Sequence, residues 1–348
     1  MRTTLIECAG HEEVYGVEDA DSGLRGYIAV HSTTLGPAAG GLRMRVYRSD
    51  DEALTDVLRL SRGMTFKNAA AGLPLGGGKA VIMGDPAKAK TPALLRAMGR
   101  AVESLKGRYW TAEDMGMTTA DMAVISQETR FVAGLAGGDF ASGDPSPVTA
   151  RGVFNAVRRA THHRLGRDDL GGLTVAVQGL GNVGRHLCAL LHGDGAELVV
   201  TDIDATRVAG AVAEWSAEAV AGDDIYRVGA DIFAPCAIGG ILNELTIPEL
   251  RVTVVAGGAN NQLATPEDGH RLAQRDILYA PDFVANGGGI INVAAEILRI
   301  ADRPAWVAEK LDALDQTMEA ILSTARTEGV SPNAVAERVV AERMARAA

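Results

Sequence analysis

The chain is poor in cysteine, poor in aromatic residues and free of long apolar runs. Three cysteines, Cys8, Cys188 and Cys236, are scattered over 348 residues, which excludes a disulfide framework and fits a reducing compartment. His31, His162, His163, His186 and His270 show no metal-ligand spacing with those cysteines, so no metal site is expected. No stretch reaches the roughly 18 apolar residues of a membrane helix. The opening MRTTLIECAG carries Glu7 and lacks an apolar core of signal-peptide length. The expectation is a cytoplasmic protein with no membrane partner. Basic excess is missing as well. The formal net charge of -10 disfavours nucleic acid and anionic membranes as partners.

What the chain does have is 47% hydrophobic residues mixed with charges of both signs, enough for sizeable cores. Its length suggests two domains. GYIAVHST (Gly26–Thr33) and KAVIMG (Lys79–Gly84) read as strands. Asp51–Arg62 and Pro92–Leu105 carry helical apolar spacing. A Gly/Pro/Ser/Asp cluster, Ala136–Thr149, marks the boundary, and a helix over Ala150–His162 follows it. Beyond Leu173 the chain alternates. LTVAVQG, ELVVTD, ADIFAPC, VTVVAG and DILYAPDFV read as short apolar strands, with a helix over Asn182–His192 among them. That alternation implies a parallel sheet covered on both faces. Arg303–Ala348 reads as mostly helical. The fold class is therefore α/β.

Gly179-Leu180-Gly181-Asn182-Val183-Gly184 follows an apolar strand and opens a helix, the context that a dinucleotide fingerprint requires. Gly179 permits a tight turn, Gly181 a close approach of backbone to pyrophosphate, and Gly184 close helix–strand packing. Asp202, followed by Ile203, ends the second strand near the expected ~20-residue spacing. A carboxylate there accepts hydrogen bonds from ribose hydroxyls and repels a 2′-phosphate, which favours NAD over NADP. Asp204 is a rival for that role, and Arg207 nearby softens the preference. A glycine turn that merely packs a helix is the competing structural explanation.

Two lysines keep unusual company. Lys67 lies in MTFKNAAAG, and Lys79 follows three glycines in LPLGGGKAV. A lysine is ordinarily a solvated surface charge. Held among small residues near another cation, it has its pKa pulled down and becomes a base near neutral pH. Asp114, in TAEDMG, suits either proton handling near those lysines or a helix cap.

GPAAGGLRM (Gly36–Met44), MTFKNAAAGLPLGGGKAVI (Met64–Ile82), YWTAEDMG (Tyr109–Gly116), GDPSPVTARG (Gly143–Gly152), APCAIGG (Ala234–Gly240), AGGANNQLA (Ala256–Ala264) and NGGGIINVA (Asn286–Ala294) resemble, in order and spacing, the Glu/Leu/Phe/Val dehydrogenase family. The likeness covers nearly the whole chain. It implies a substrate-binding and oligomerisation domain over 1–140, rejoined by a C-terminal helix over 328–348. A Rossmann-type NAD domain over 141–327 would follow, with a cleft between the two. It implies that Lys67 binds the substrate carboxylate with help from the Gly40–Gly41 backbone, and that Lys79 activates water. Asp114 would handle protons at the amino group, and Asn261 would contact the substrate or the nicotinamide. Thr149, Cys236, Ala237 and the loop containing Ala256, Gly257 and Asn260 would line the nicotinamide.

The positions that match the family's side-chain pocket are Ala39, Met64, Ala112, Ile290 and Val293, none of them charged. Glutamate-specific members typically carry a lysine where Ala39 stands, and a carboxylate buried without a partner is costly. The expected activity is therefore NAD-dependent, reversible oxidative deamination of an apolar L-amino acid, of the phenylalanine or leucine class, to a 2-oxo acid and ammonia. A branched-chain leucine/valine enzyme is the alternative within the family. A non-catalytic NAD-binding regulator is the alternative from another class, and it would not need Lys67, Lys79 and Asp114 together. A hydroxy-acid dehydrogenase would want a histidine base, and no histidine has a comparable context. A homo-oligomer is expected from the resemblance.

Overall fold

The computed structural model describes residues 1–347. The chain forms two compact units. The first holds Met1–Pro145, Ile290–Ala308 and the segment from Glu342; the second holds Ser146–Gly289 and Glu309–Ala341.

Unit 1 contains β1 (Arg2–Ile6), β2 (Glu13–Asp19), β3 (Leu24–Ser32), β4 (Ala38–Arg45), α1 (Asp50–Ala70), β5 (Gly76–Met83), α2 (Pro92–Ser104), β6 (Tyr109–Glu113) and α3 (Thr119–Ile125). Its mixed sheet runs β1-β2-β3-β5-β4-β6, with β4 parallel to both β5 and β6. The sequence reading did not identify β1, β2, β4 or β6. GPAAGGLRM lacks β-branched residues, yet it forms a central strand because both neighbours complete its backbone hydrogen bonds. One face of the sheet buries Leu42, Met44 and Ile82 against Leu94, Met98 and Met122 of α2 and α3. The other buries Ala29 and Val81 against Ala53 and Val57 of α1. Each large side chain so buried contributes roughly 1.5–3 kcal/mol.

Helix α1 starts on Ser49, whose hydroxyl accepts from the Glu52 amide at 3.2 Å, and its acidic first turn complements the helix dipole. It runs to Ala70, eight residues past the expected end at Arg62. The continuation lies flat on β5, where a Cβ on Gly77 would sit 2.6 Å from Thr65 Cα. The glycine run is thus a surface for close helix approach. At the helix end, Arg343 Nη1 donates to the Ala69 and Ala70 carbonyls at 2.7 and 2.6 Å, which ties the last turn of the chain to unit 1.

Under α1, His31 Nδ1 lies 2.8 Å from Thr65 Oγ1, and the His31 ring stacks edge-on against His11. Burial first, then the neighbouring His11 and Arg62, pushes His31 down to about 4. The unfolded chain takes up this proton near pH 6.5, whereas the folded chain resists it to about pH 4. The resulting stability is complete above pH 6.5 and is lost as pH falls through 4. We expect the melting temperature to decline across that window and the decline to be shallower in His31→Gln. Parallel pH profiles of the two proteins would remove His31 as the cause.

Unit 2 and the C-terminal part contain α4 (Ser146–Leu165), β7 (Thr174–Gln178), α5 (Asn182–Gly193), β8 (Glu197–Thr201), α6 (Ala205–Trp215), β9 (Glu218–Ala219), β10 (Ile232–Pro235), β11 (Val254–Val255), α7 (Glu267–Gln274), β12 (Leu278–Tyr279), α8 (Asp282–Ala285), α9 (Gly288–Ile297), α10 (Arg303–Glu328) and α11 (Pro332–Ala347). The sheet is entirely parallel in the order β12-β11-β10-β7-β8-β9, the doubly wound order of dinucleotide-binding folds.

Three expectations change. DILYAPDFV yields only the two-residue β12 before turning into α8, because Pro281 cannot donate to a ladder and the Asp282 amide donates to Tyr279 Oη at 3.2 Å. The boundary cluster stops short of Thr149: α4 already begins at Ser146, with Pro147 tolerated in its first turn. The compact units also differ from the ranges 1–140, 141–327 and 328–348. Unit 1 reaches Pro145, includes Ile290–Ala308 and regains the chain only at Glu342. The physical reason for the middle segment is Glu296. Its Oε2 accepts from the Gly134 and Ser142 amides at 2.7 and 2.9 Å and from the Ser142 hydroxyl at 2.6 Å.

Candidate active site

Strands β4, β5 and β6 bring together the charged residues of unit 1. Lys79 lies two residues after Gly77 on β5, so both face α1. The lysine is 4% exposed. Its Nζ lies 3.0 Å from Oδ2 of Asp114, just beyond β6. Arg43, on β4, donates from Nε to the same Oδ2 at 2.9 Å. From Nη1 it reaches Asp56 of α1 at 3.2 Å, and the Tyr47 hydroxyl also donates to Asp56, at 2.8 Å. Asp114 is therefore an ion-paired carboxylate and not a helix cap. The nearby helix α3 is capped by Thr118 and Asp121.

Burial pushes the Lys79 ammonium down from its ordinary pKa; Asp114 opposes this and Arg43 adds to it. Burial alone would raise the Asp114 carboxyl. The positive charges of Lys79 and Arg43 outweigh that and hold it well below the usual carboxylate range. The arrangement is a lysine eased toward its neutral form beside a carboxylate that stays ionised.

The glycines around this cluster are steric requirements. A Cβ on Gly41 would lie 2.8 Å from Asp114 Cβ, and one on Gly40 would lie 2.8 Å from Met64 Cγ. The Gly40 carbonyl accepts from the buried Tyr109 hydroxyl at 2.8 Å. Lys67 sits half-buried in the last turn of α1. Ala39, Met64, Ala112, Ile290 and Val293 are all buried, on β4, α1, β6 and α9. Ile290 and Val293 share one face of α9, while Asn292 and Glu296 share another and grip Ser142. Arg43 and Glu296 went unrecognised in the sequence. Each reads locally as an ordinary charge; Asp114 lies 71 residues from Arg43, and Ser142 lies 154 residues from Glu296.

The predicted cofactor residues all belong to unit 2; apart from Thr149, they follow the C-terminal ends of its strands. Gly179 has φ +96, and a Cβ there would lie 2.8 Å from Ala237. A Cβ on Gly184 would overlap the Gly179 carbonyl. Gly181 caps α5 without a side-chain hydrogen bond, and its Cβ position meets nothing nearer than Arg207 Nη1 at 3.9 Å. This leaves an open backbone cradle at a helix N-terminus, which fits a pyrophosphate. Asp202 Oδ2 accepts from the Leu180 amide at 2.6 Å and Oδ1 from the Asp204 amide at 2.8 Å. The carboxylate fixes the glycine turn and retains lone pairs for further donors. Ile203 is fully exposed beside it.

Asp204, the rival ribose partner, instead caps α6 by accepting from the Thr206 amide at 2.9 Å. Gly258 packs against Val183 and Cys236, which draws the Cys236–Ala237 and Ala256–Asn260 segments to the glycine turn. Asn261 adopts φ 51 on this loop, and Gln262 anchors it by donating to the Gly257 carbonyl at 2.8 Å. Thr149 lies in the first turn of α4, where a Cβ on Gly288 would come within 3.1 Å of Thr149 Cα. Among the described residues, no group of side chains could hold a metal ion, and no helix is long and apolar enough to cross a membrane.

A doubly wound dinucleotide unit and a buried lysine paired with a carboxylate are the parts of a dinucleotide-dependent oxidoreductase. Comparison with known proteins makes this specific. Residues 11–131 match the Glu/Leu/Phe/Val dehydrogenase dimerisation domain, and residues 142–212 and 202–348 match the Glutamate/Leucine/Phenylalanine/Valine dehydrogenase domain. The chain belongs to the Glu/Leu/Phe/Val dehydrogenase family. It is 50% identical to leucine dehydrogenase of Geobacillus stearothermophilus, over 97% of this chain and 92% of that protein. It is 45% identical to phenylalanine dehydrogenase of Caldalkalibacillus thermarum, over 98% and 93%. Among solved structures, L-tryptophan dehydrogenase from Nostoc punctiforme superposes with a TM-score of 0.80 at 42% identity, covering 97% of this chain and 96% of that one.

Proposed function

We propose that the protein catalyses reversible, NAD-dependent oxidative deamination of an apolar L-amino acid, of the phenylalanine or leucine class, to its 2-oxo acid and ammonia. The observation that carries this reading is the pairing of buried Lys79 with the partly buried Asp114, in the same unit as pocket residues that bear no charge. NAD, when bound, supplies the acceptor for the hydride that leaves the substrate Cα. Lys67 pairs with the substrate carboxylate, helped by the Gly40–Gly41 backbone. Asp114, held ionised in the free enzyme, accepts hydrogen bonds from the amino group and receives and passes on the proton that the substrate ammonium loses before hydride leaves. Neutral Lys79 takes a proton from the water that attacks the iminium carbon, the resulting ammonium returns it to the carbinolamine nitrogen, and as ammonia departs the neutral amine takes the hydroxyl proton that the forming carbonyl releases. Met64, Ala39, Ala112, Ile290 and Val293 receive the apolar side chain, and Asn261 contacts the substrate or nicotinamide side. Thr149, Cys236, Ala237, Ala256, Gly257 and Asn260 line the nicotinamide.

The choice of NAD rests on Asp202. A 2′-phosphate would meet the carboxylates of Asp202 and Asp204, which the Arg207 guanidinium, 3.9 Å from Asp202 and 3.4 Å from Asp204, offsets in part. We expect Asp202→Ala to lower kcat/KM with NAD and to narrow the NAD:NADP ratio by about tenfold, a shift of ~1.4 kcal/mol. An unchanged ratio would take Asp202 out of cofactor selection. The dimerisation-domain match supports a homo-oligomer. The reaction itself is tested by its stoichiometry: one ammonia and one 2-oxo acid released for each NADH formed. NADH formation without ammonia would contradict it.

A further inference from the structure

The Lys79–Asp114 pair contains a third member that the reaction outlined above does not use. Arg43 and Lys79 converge on a single oxygen, Oδ2 of Asp114, at 2.9 and 3.0 Å. Two cations on one oxygen fix the carboxylate torsion, and the hydrogen bond from Arg43 goes to Oδ2 and leaves Oδ1 to other donors. Arg43 is itself held. Its Nη1 lies 3.2 and 3.4 Å from the two oxygens of Asp56 on α1, so the guanidinium spans from helix to strand end. Tyr47 donates to Asp56 at 2.8 Å, and Arg45 Nε lies 3.6 Å from the same oxygen. The chain of contacts thus runs from a helix anchored in the core to the carboxylate beside Lys79. A planar, fixed fork suits this span in a way that a flexible ammonium does not.

We propose that Arg43 is a positioning residue for the deamination reaction: tethered to Asp56, it holds Oδ2 of Asp114 so that Oδ1 is presented to the amino group of the substrate. This rests on the role given to Asp114 above. Arg43 touches neither substrate nor cofactor in this scheme; it acts through Asp114. It has a second consequence. The charged groups around Lys79 are Asp114 beyond β6, Arg43 on β4 and Asp56 on α1. Arg43 is the one among them that, with burial, favours neutral Lys79. Removing its charge raises the pH at which Lys79 becomes a base.

The test compares full-length Arg43→Met, Arg43→Lys, Asp56→Asn and Asp114→Asn with the parent. The readouts are kcat, KM for L-leucine or L-phenylalanine at saturating NAD, and the pH profile of kcat/KM. In Arg43→Met, misplacement of the carboxylate is expected to reduce kcat/KM by about 10²-fold. Its acid limb is expected to move to higher pH, because the base must now lose its proton without a neighbouring cation. Arg43→Lys keeps the charge and loses the fork. Its acid limb should stay near that of the parent while kcat/KM remains depressed by about tenfold. Asp56→Asn, which frees the far end of the guanidinium, should raise KM with little movement of the limb.

A merely structural role for Arg43 would move the melting temperature without displacing the acid limb in Met and restoring it in Lys. If Arg43→Met fails to fold, Arg43→Lys and Asp56→Asn carry the test, and parent-like kcat/KM in both overturns the proposal. Parent-like kinetics and pH limb in a folded Arg43→Met, alongside an inactive Asp114→Asn, overturn the proposal and keep the role of Asp114. Full activity in Asp114→Asn overturns that role and this proposal together.

Discussion

Replacing Lys79 with alanine is expected to lower kcat for amino acid oxidation by about 10³- to 10⁴-fold, with NAD affinity changed by no more than about twofold. The two halves of this expectation have separate physical grounds. The loss follows from removing the buried amine that lies 3.0 Å from Asp114 and is eased toward its neutral form. The fold tolerates the change because Arg43 remains on Oδ2 of Asp114 at 2.9 Å, so no carboxylate is left buried without a counter-charge. Retained NAD affinity follows from the composition of the glycine turn. Its contacts, from Gly179 to Ala237 and from Leu180 to Asp202, all lie within unit 2, whereas Lys79 belongs to unit 1. Calorimetric titration with NAD and steady-state rates on the same sample check both halves. Turnover within tenfold of the parent would remove Lys79 from the chemistry.

Ala39→Lys should also have a large effect, with a different signature. Ala39 is 0% exposed on β4, in register with Gly77, whose Cβ position abuts Thr65 of α1. An ammonium there has no anionic partner built for it, and an apolar substrate gives it none, so its desolvation opposes binding. We expect kcat/KM for leucine and phenylalanine to fall at least about a hundredfold, mostly through KM. Ala39→Val, which adds bulk without charge, should fall less and should penalise phenylalanine more than leucine. Equal turnover of both substrates by parent and lysine variant would mean that Ala39 does not line the pocket.

Local patterns made the dinucleotide half legible. A short apolar strand, G-x-G-x-x-G and an acid at the next strand end each reflect a short-range requirement; the structure shows the steric need for glycine at Gly179 and Gly184, and Asp202 bonded to the glycine turn through the Leu180 amide. The lysine motif was legible as unusual because glycines preceding Lys79 have no role in a solvated loop, and Gly77 indeed admits α1. Other features depend on partners far along the chain. β4 is a strand only because β5 and β6 flank it. α1 outruns its apolar periodicity because small residues such as Ala69 and Ala70 suffice once the helix is covered. DILYAPDFV looked like a strand until Pro281, and the proline was the available signal for the turn into α8. Arg43 stood in plain view within GLRM. Nothing within several residues marks it as a partner of Asp114, so only the folded sheet reveals it.

The most direct measurement is the initial rate of NADH formation, followed by absorbance, with NAD and a panel of L-amino acids at equal concentration. Leucine or phenylalanine should support rapid reduction, and glutamate at least about a hundredfold less, because its second carboxylate would be buried without a partner. No reduction with any apolar amino acid, or glutamate as the preferred substrate, would contradict the proposed activity.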